Sequence, residues 1–365
     1  MSVCLSIYPH NLPFTIGFQR IGIPFFWGTP KNKIMRKTNT LKKEKLISIL
    51  IPIHNAQPFL AECLESVLCQ TYRHLEIICI DDGSTDNSPS ILRSYAKKDE
   101  RLRVFYQKNQ GAAYTRNRLL SKIRGAYFAF VDADDKIAPN YLEELYQAAV
   151  AYNSDVVRSL YLLEDASTGR QTLCEEVYHE FNRPVPSSCP VERIQAALDD
   201  TQVWLKLIKT SLVKEKHLQF LNYALAEDSS FEIQLYLYAN KITFLNRHLY
   251  YYRVGNPHSA SSDKRAWAAG TLENMCFVCR ELQKKQFRHR KAWNQLGYLV
   301  LHAIRRMRKF PMGTREVKLC QQGVATLRSL LPYCGKYTRL KFAFFIFSCA
   351  HVSPAKIPYI AWGFR

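Results

Sequence analysis

Residues 46–52 (LISILIP) form an unbroken apolar run, the pattern of a strand buried on both faces. The spacing then changes. Phe59, Leu60, Cys63, Leu64, Val67 and Leu68 recur at intervals of three and four, which predicts a helix over 59–68 with one apolar face. The alternation repeats down the chain: strands over 75–80 (LEIICI), 104–106 and 126–131 (AYFAFV), with helices over 88–98, 111–123 and 139–151 between and after them. Strands alternating with helices of about 10–15 residues predict βαβ units, hence an α/β fold with a mostly parallel sheet flanked by helices.

Residues 152–260 are more mixed, and 182–190 (NRPVPSSCP) carry the turn residues of a surface loop. Beyond Tyr250-Tyr251-Tyr252-Arg253 the pattern becomes helical and basic, which puts a boundary near 262. Residues 1–34 show no period and are punctuated by Pro9, Pro13, Pro24 and Pro30, yet lack the basic start and continuous apolar centre of a signal peptide. Met35 opens a short basic run leading straight into the first strand, so one reading starts the native chain at Met35; its intact mass decides. The expected organisation is an N-terminal basic and aromatic extension over 1–45, an α/β domain over 46–261 in two halves (46–150 and 151–261), and a basic, mainly helical extension over 262–365.

Charge adds to this picture through its distribution. Of a net +20 over 365 residues, +7 falls in residues 1–45 and +11 in residues 301–365, leaving the middle nearly neutral at +2. The C-terminal stretch mixes Arg305, Arg306, Arg308 and Lys309 with Tyr337, Leu340, Phe342, Phe344, Phe345, Phe347, Tyr359, Trp362 and Phe364. That mixture fits a segment lying on an anionic membrane surface; it fits equally a helical hairpin packed on the α/β domain. No nucleic-acid-binding signature is present, so nucleic acid is not an expected partner. A composition of 47% hydrophobic and 22% charged residues excludes wholesale disorder. The longest apolar stretch, 342–350, falls well short of the ~20 residues a spanning helix needs. Eleven Cys are scattered without paired zinc-finger spacing, and Cys276-Phe277-Val278-Cys279 reads as two core thiols ahead of a redox or zinc pair. The expected location is cytoplasmic, with a peripheral association on the inner face of the membrane.

Candidate chemistry stands where parallel sheets bind ligands, beyond the carboxyl ends of the strands. Three polar clusters lie there: Pro52-Ile53-His54-Asn55, Asp81-Asp82-Gly83-Ser84-Thr85-Asp86, and Asp132-Ala133-Asp134-Asp135. Two carboxylates two residues apart, leaving a buried strand, can hold a divalent ion by hard oxygen ligands, with positions left open for phosphates; they can also simply cap the next helix. An Asp in the second cluster can accept hydrogen bonds from a base NH or a ribose hydroxyl, or serve as a capping turn. Arg116, one turn into the helix that follows Gly111, can reach a phosphate or one of the acidic clusters, or remain a surface arginine.

SILIPIHNAQPFLAECLESVLCQTY, EIICIDDGSTDNS, GAAYTRN and GAYFAFVDADD, in this order and spacing, resemble the nucleotide-sugar glycosyltransferases of family 2, which have the GT-A fold. The resemblance is strong over 46–150 and weaker to about 260. It implies that Pro52, His54 and Asn55 line the nucleotide base, His54 standing where the family usually has Tyr or another aromatic. It implies that Asp82, with Asp81, contacts base and ribose. Asp132-Ala133-Asp134 matches the DxD motif, with Asp134 as metal ligand and Asp132 near the ribose or metal; Asp135 extends the cluster. The segment Val203-Trp204-Leu205-Lys206-Leu207 resembles the acceptor side, and Glu227-Asp228 the family's Glu-Asp pair, with Asp228 as general base. Tyr250-Tyr251-Tyr252-Arg253 and His258-Ser259 resemble the family's closing stretch, in which Arg253 or His258 would touch the diphosphate; a core strand followed by a loop fits the same residues.

The implied enzyme is a hexosyl- or N-acetylhexosaminyl-transferase. It uses Mn²⁺ or Mg²⁺, takes a nucleotide-sugar donor (a UDP-sugar), inverts the anomeric centre and acts on a glycan or lipid-linked glycan in surface polysaccharide or lipopolysaccharide synthesis. A nucleotidyltransferase is the rival enzyme, but His54-Asn55-Ala56-Gln57 lacks its Gly-rich phosphate loop; a non-catalytic module on anionic surfaces would leave the acidic clusters idle.

Overall fold

A computed structural model of the chain describes residues 44–173, 184–186, 202–221, 227–255, 264–284, 286–288 and 290–351. The turn-rich loop at 182–190 falls mostly outside them; His258 and the segment bearing the alternative start at Met35 fall wholly outside.

The first half alternates as its periodicity predicts. Strands β1 (Ile47–Ile53), β2 (Leu75–Asp82), β3 (Leu102–Gln107) and β4 (Tyr127–Phe130) are joined by helices α1 (Leu60–Leu68), α2 (Ser88–Ala96) and α3 (Ala112–Leu120). They lie in the order β3-β2-β1-β4, all parallel, with Ile47 opposite both Leu75 and Tyr127. β1 and β2 are buried along almost their whole length, which is why they read as continuous apolar runs rather than alternating ones. α1 turns Leu60, Cys63, Leu64 and Val67 inward and leaves Glu62 and Glu65 exposed.

Ser48 within β1 and Glu76 within β2 are buried polar side chains, and they satisfy each other. Ser48 Oγ donates to Glu76 Oε1 (2.6 Å), while Arg103 Nη1 (2.7 Å) and the Arg124 amide (2.9 Å) donate to the same carboxylate. A buried carboxylate with that many donors stays ionised: burial raises its pKa, but these bonds outweigh it and the net shift is downward.

The second half turns the sheet mixed. β5 (Lys136–Ile137) and α4 (Tyr141–Tyr152) lead to β6 (Val156–Asp165), β7 (Gln171–Leu173), β8 (Pro184–Pro186), β9 (Lys206–Lys209), α5 (Thr210–Lys216), α6 (Glu227–Tyr238) and β10 (Lys241–Val254). β9 runs antiparallel between β4 and β6, and β10 pairs parallel with β6 and antiparallel with β5. Register shifts in β10 around His248 re-aim its last residues, so that Tyr250 and Arg253 reach back to the end of β4.

Four helices follow: α7 (Lys264–Lys284), α8 (Arg290–Met307), α9 (Thr314–Leu330) and α10 (Lys336–His351). Their inner residues, among them Leu272, Leu296, Ile304, Leu327 and Phe342, belong to the same buried cluster as the sheet core. Gly297 on α8 gives the Phe342 ring of α10 its seat, since a methyl there would overlap the ring. Cys276 and Cys279 are buried free thiols within this packing. Among the described residues no helix is long and apolar enough to cross a membrane.

Candidate active site

The turn after β1 and the turn after β2 are laced together. Asn55 adopts φ 51°, a left-handed conformation that Asn tolerates better than most residues. From there its Oδ1 accepts from the Thr85 amide (2.8 Å), and its own amide donates to Ser84 Oγ (2.9 Å). The amides of Gln57 and Ser88 both donate to Asp86 (2.9 Å each). Pro52, half-buried, pairs in register with Ile80 beneath this rim. His54 is exposed, and its Nδ1–H donates to the Asp82 carbonyl (2.9 Å). That bond leaves the Nε2 lone pair toward the amide groups of Asn55 and Asn109, each at 3.3 Å.

The two acids of the second cluster have different surroundings. Asp82, expected from sequence to lead the contacts to base and ribose, has both oxygens engaged by the protein. Oδ1 accepts from Gln107 Nε2 (2.7 Å) and the Gln110 amide (2.8 Å), and Oδ2 from the Gly111 amide (2.8 Å). Asp82 therefore clamps the segment leading into α3. Asp81 Oδ1 accepts from the Ser84 amide (2.8 Å), whereas its buried Oδ2 has no hydrogen-bond partner among the described residues. The open acceptor is Asp81.

Gly83 joins these pieces. It has φ 70°, and a Cβ on it would stand 2.7 Å from the Asn109 backbone nitrogen. Both the conformation and the close approach demand glycine. Gly83→Ala is expected to destabilise the protein by about 1–3 kcal/mol and to loosen the 108–111 segment; a denaturant titration and amide exchange of that segment measure both.

At the end of β4, Asp132 and Asp134 are partly exposed, while Asp135 is buried. Asp135 is a tie to β10, not an open ligand: Tyr250 Oη donates to its Oδ2 (2.9 Å) and the Arg253 amide to its Oδ1 (2.8 Å). Burial, and then the neighbouring Asp134 and Asp132 charges, hold the Asp135 carboxyl well above its ordinary range. Arg253, considered from sequence for the diphosphate, instead places its Nη2 against Glu62 (2.6 Å) and Glu164 (3.5 Å).

Arg116 is the hub. Only 7% exposed, it sits on α3 and places Nη2 3.2 Å from Asp132 Oδ1 and Nη1 3.2 Å from Asp228 Oδ1, with Nη1 also bonded to Glu227 Oε1. Burial works against its charge, but Asp228, Asp132 and Glu227 outweigh that and raise its pKa. Asp228 responds to the same crowd. Burial raises its pKa, Arg116 lowers it, and Glu227, Asp132 and Glu232 push it further up, leaving it well above an ordinary aspartate. For Asp132 burial and the Asp134 charge outweigh Arg116, so its pKa is raised as well.

Sequence reasoning reached Arg116 but not its bond to Glu227, 111 residues away. It also matched the segment 203–207, with Trp204 and Lys206, to the acceptor side. The structure buries both: Trp204 stacks on Tyr252 (5.1 Å between centroids, 4° between planes), and Lys206 pairs with Glu232 at 2.9 Å, both wholly buried. Glu232 lies one turn beyond Asp228 on α6, so the pair braces the helix that presents the aspartate. The available signal was a single lysine inside the apolar run VWLKL.

Among the described residues no group of three or more acidic, His or Cys side chains is gathered to enclose a metal. Asp132 and Asp134 are two hard-oxygen donors whose mutual repulsion a cation would relieve. That donor set fits an ion taking its remaining ligands from phosphate and water, the habit of Mg²⁺ and ions like it.

Comparisons with known proteins place this geometry in context. Residues 48–188 match the family described as "Glycosyl transferase family 2". Glycosyltransferase GlyG of Streptococcus pneumoniae is 38% identical over 220 residues, which cover 57% of this chain and 71% of that protein. The putative glycosyltransferase EpsH of Bacillus subtilis is 33% identical over 215 residues, covering 57% of this chain and 60% of that protein, so less than two thirds of its length is matched. Among solved structures, S. aureus TarS 1–349 in complex with UDP superposes with a TM-score of 0.60 at 20% identity, over 82% of this chain and 86% of that one. That likeness concerns the fold.

Proposed function

The chain belongs to glycosyltransferase family 2, and from that premise we propose that it transfers a sugar from a UDP-sugar to an acceptor hydroxyl, inverting the anomeric centre, in the synthesis of a surface glycan. One observation carries the reading. Arg116 ties Asp132, at the end of β4, to Glu227 and Asp228, at the start of α6. The acids that would meet the donor and the acid that would take the proton therefore share one site.

Asp81 Oδ2 offers the nucleoside a buried acceptor, with Pro52 and His54 flanking it on the adjacent strand end. Asp82 and Asn55 act by fixing the turns around it. Asp132 and Asp134 would hold Mn²⁺ or Mg²⁺, which when bound neutralises the charge of the departing diphosphate. Asp228 accepts the proton of the attacking hydroxyl. Arg116 and the Lys206–Glu232 pair fix its position. The acceptor read from the chain's basic C-terminal end is a glycan or lipid-linked glycan.

Calorimetry tests the donor site. UDP is expected to bind at least about tenfold more tightly with Mn²⁺ than with EDTA, and Asp134→Ala to erase that difference. Equal affinity with and without metal would overturn the assignment of Asp132 and Asp134.

A further inference from the structure

We propose that the outward face of α10 docks this chain on an anionic lipid bilayer, an inference that stands independently of the transfer reaction. α10 is apolar on both sides. Inward, Phe342 is wholly buried and Ile346 is 7% exposed; outward, Tyr337 (64%), Leu340 (63%), Phe344 (56%) and Phe347 (61%) are each more than half exposed, in steps of three and four residues. A helix apolar all round is ordinarily enclosed, and a contiguous row of large exposed apolar side chains marks a surface that something covers.

Charge selects the cover. Lys336 and Arg339 are exposed at the start of the same helix, and Lys341 Nζ lies 4.4 Å from the centroid of the Tyr337 ring. No Asp or Glu occurs from residue 317 to the end of the chain, and residues 301–365 carry +11. An anionic surface therefore meets attraction along this helix, which carries no carboxylate of its own. Aromatic and aliphatic side chains beside lysine and arginine are the composition of a helix lying in the bilayer interface, its rings at headgroup depth and its cations toward lipid phosphates. With 16 residues the helix is about 24 Å long, and Phe342 pins its inner side to the bundle. It can lie on a membrane while the sheet domain stays in water.

Vesicle flotation of the full chain tests the proposal, using phosphatidylcholine alone and phosphatidylcholine with about one third phosphatidylglycerol. The wild type is expected to float with the anionic vesicles, to stay behind with the neutral ones, and to be released at about 1 M salt, where the screening length is about 3 Å. Tyr337→Gln/Leu340→Gln, at solvent-facing positions, should lower partitioning at least about tenfold with an unchanged melting temperature. Lys336→Gln/Lys341→Gln should lower it too, and lose its salt sensitivity. Equal binding to neutral vesicles, no binding to either kind, or flotation unaffected by both double variants would overturn the proposal. So would a concentration-dependent dimer that the Tyr337/Leu340 variant abolishes, since a second copy would then be the cover. Metal-dependent UDP binding should be unchanged in both variants, which separates failure here from failure of the donor-site reading.

Discussion

Asp228→Asn is expected to lower kcat by roughly 10²–10⁴ while leaving metal-dependent UDP binding intact. The substitution keeps shape and removes only basicity. Arg116 retains Asp132 and Glu227 as partners, and the Lys206–Glu232 pair still braces α6, so stability should move by no more than about 1 kcal/mol. The loss should fall on kcat, because Asp228 enters the reaction when the acceptor hydroxyl is deprotonated and contributes nothing to holding the nucleotide. Steady-state kinetics with a UDP-sugar, alongside a UDP titration of the same variant, make the measurement. Near-normal turnover would remove Asp228 from the mechanism.

Arg116→Met should cost both the fold and the reaction. It leaves Asp132, Glu227 and Asp228 without their shared cation, and a buried charge stripped of its partner typically costs about 3–5 kcal/mol. The melting temperature is expected to fall on the order of 5–10 °C. The pH dependence has a definite sign. The pKa values of Asp132 and Asp228 are already raised in the folded chain, and loss of the guanidinium raises them further. The deficit is therefore fully present at pH values where these carboxyls are ionised, and it shrinks as acidification protonates them. Arg116→Lys should recover only part of the loss, since an ammonium has no planar fork to bridge carboxylates arriving from two elements. Melting curves across pH for the three proteins test the account. A deficit independent of pH would mean that Arg116 acts through packing alone.

Much of this was legible in the sequence, for a local reason. The runs at 46–52 and 75–80 became β1 and β2 with shifts of only a residue or two, because a strand buried on both faces is apolar at most positions. The acidic clusters fell at the carboxyl ends of β2 and β4 because the alternation of strand and helix made this part of the sheet parallel. The roles within the clusters were less accessible. Asp81 and Asp82 are adjacent and chemically identical, yet one closes a loop with both oxygens and the other keeps one open. The difference lies in Gln107, Gln110 and Gly111, which reach Asp82 only once β3 has paired with β2. That Glu62 and Glu164 take the Arg253 Nη2 while its buried Nη1 keeps no hydrogen-bond partner among the described residues could not be read from the sequence. That Trp204, in the segment resembling the acceptor side, has Tyr252 against its face was likewise decided only when β10 took its place.

The sequence by itself determined the order and kind of elements, the apolar face of each, and the residue types at the strand ends, since these depend on periodicity and identity within a few residues. Only the tertiary structure decided which acid meets which cation, which carboxylate keeps a lone pair to offer, and that the C-terminal helices share one core with the sheet. Those outcomes depend on distances between segments far apart in the chain. Electrostatic and packing energies are set by separations of a few ångströms, which no local pattern of residues encodes.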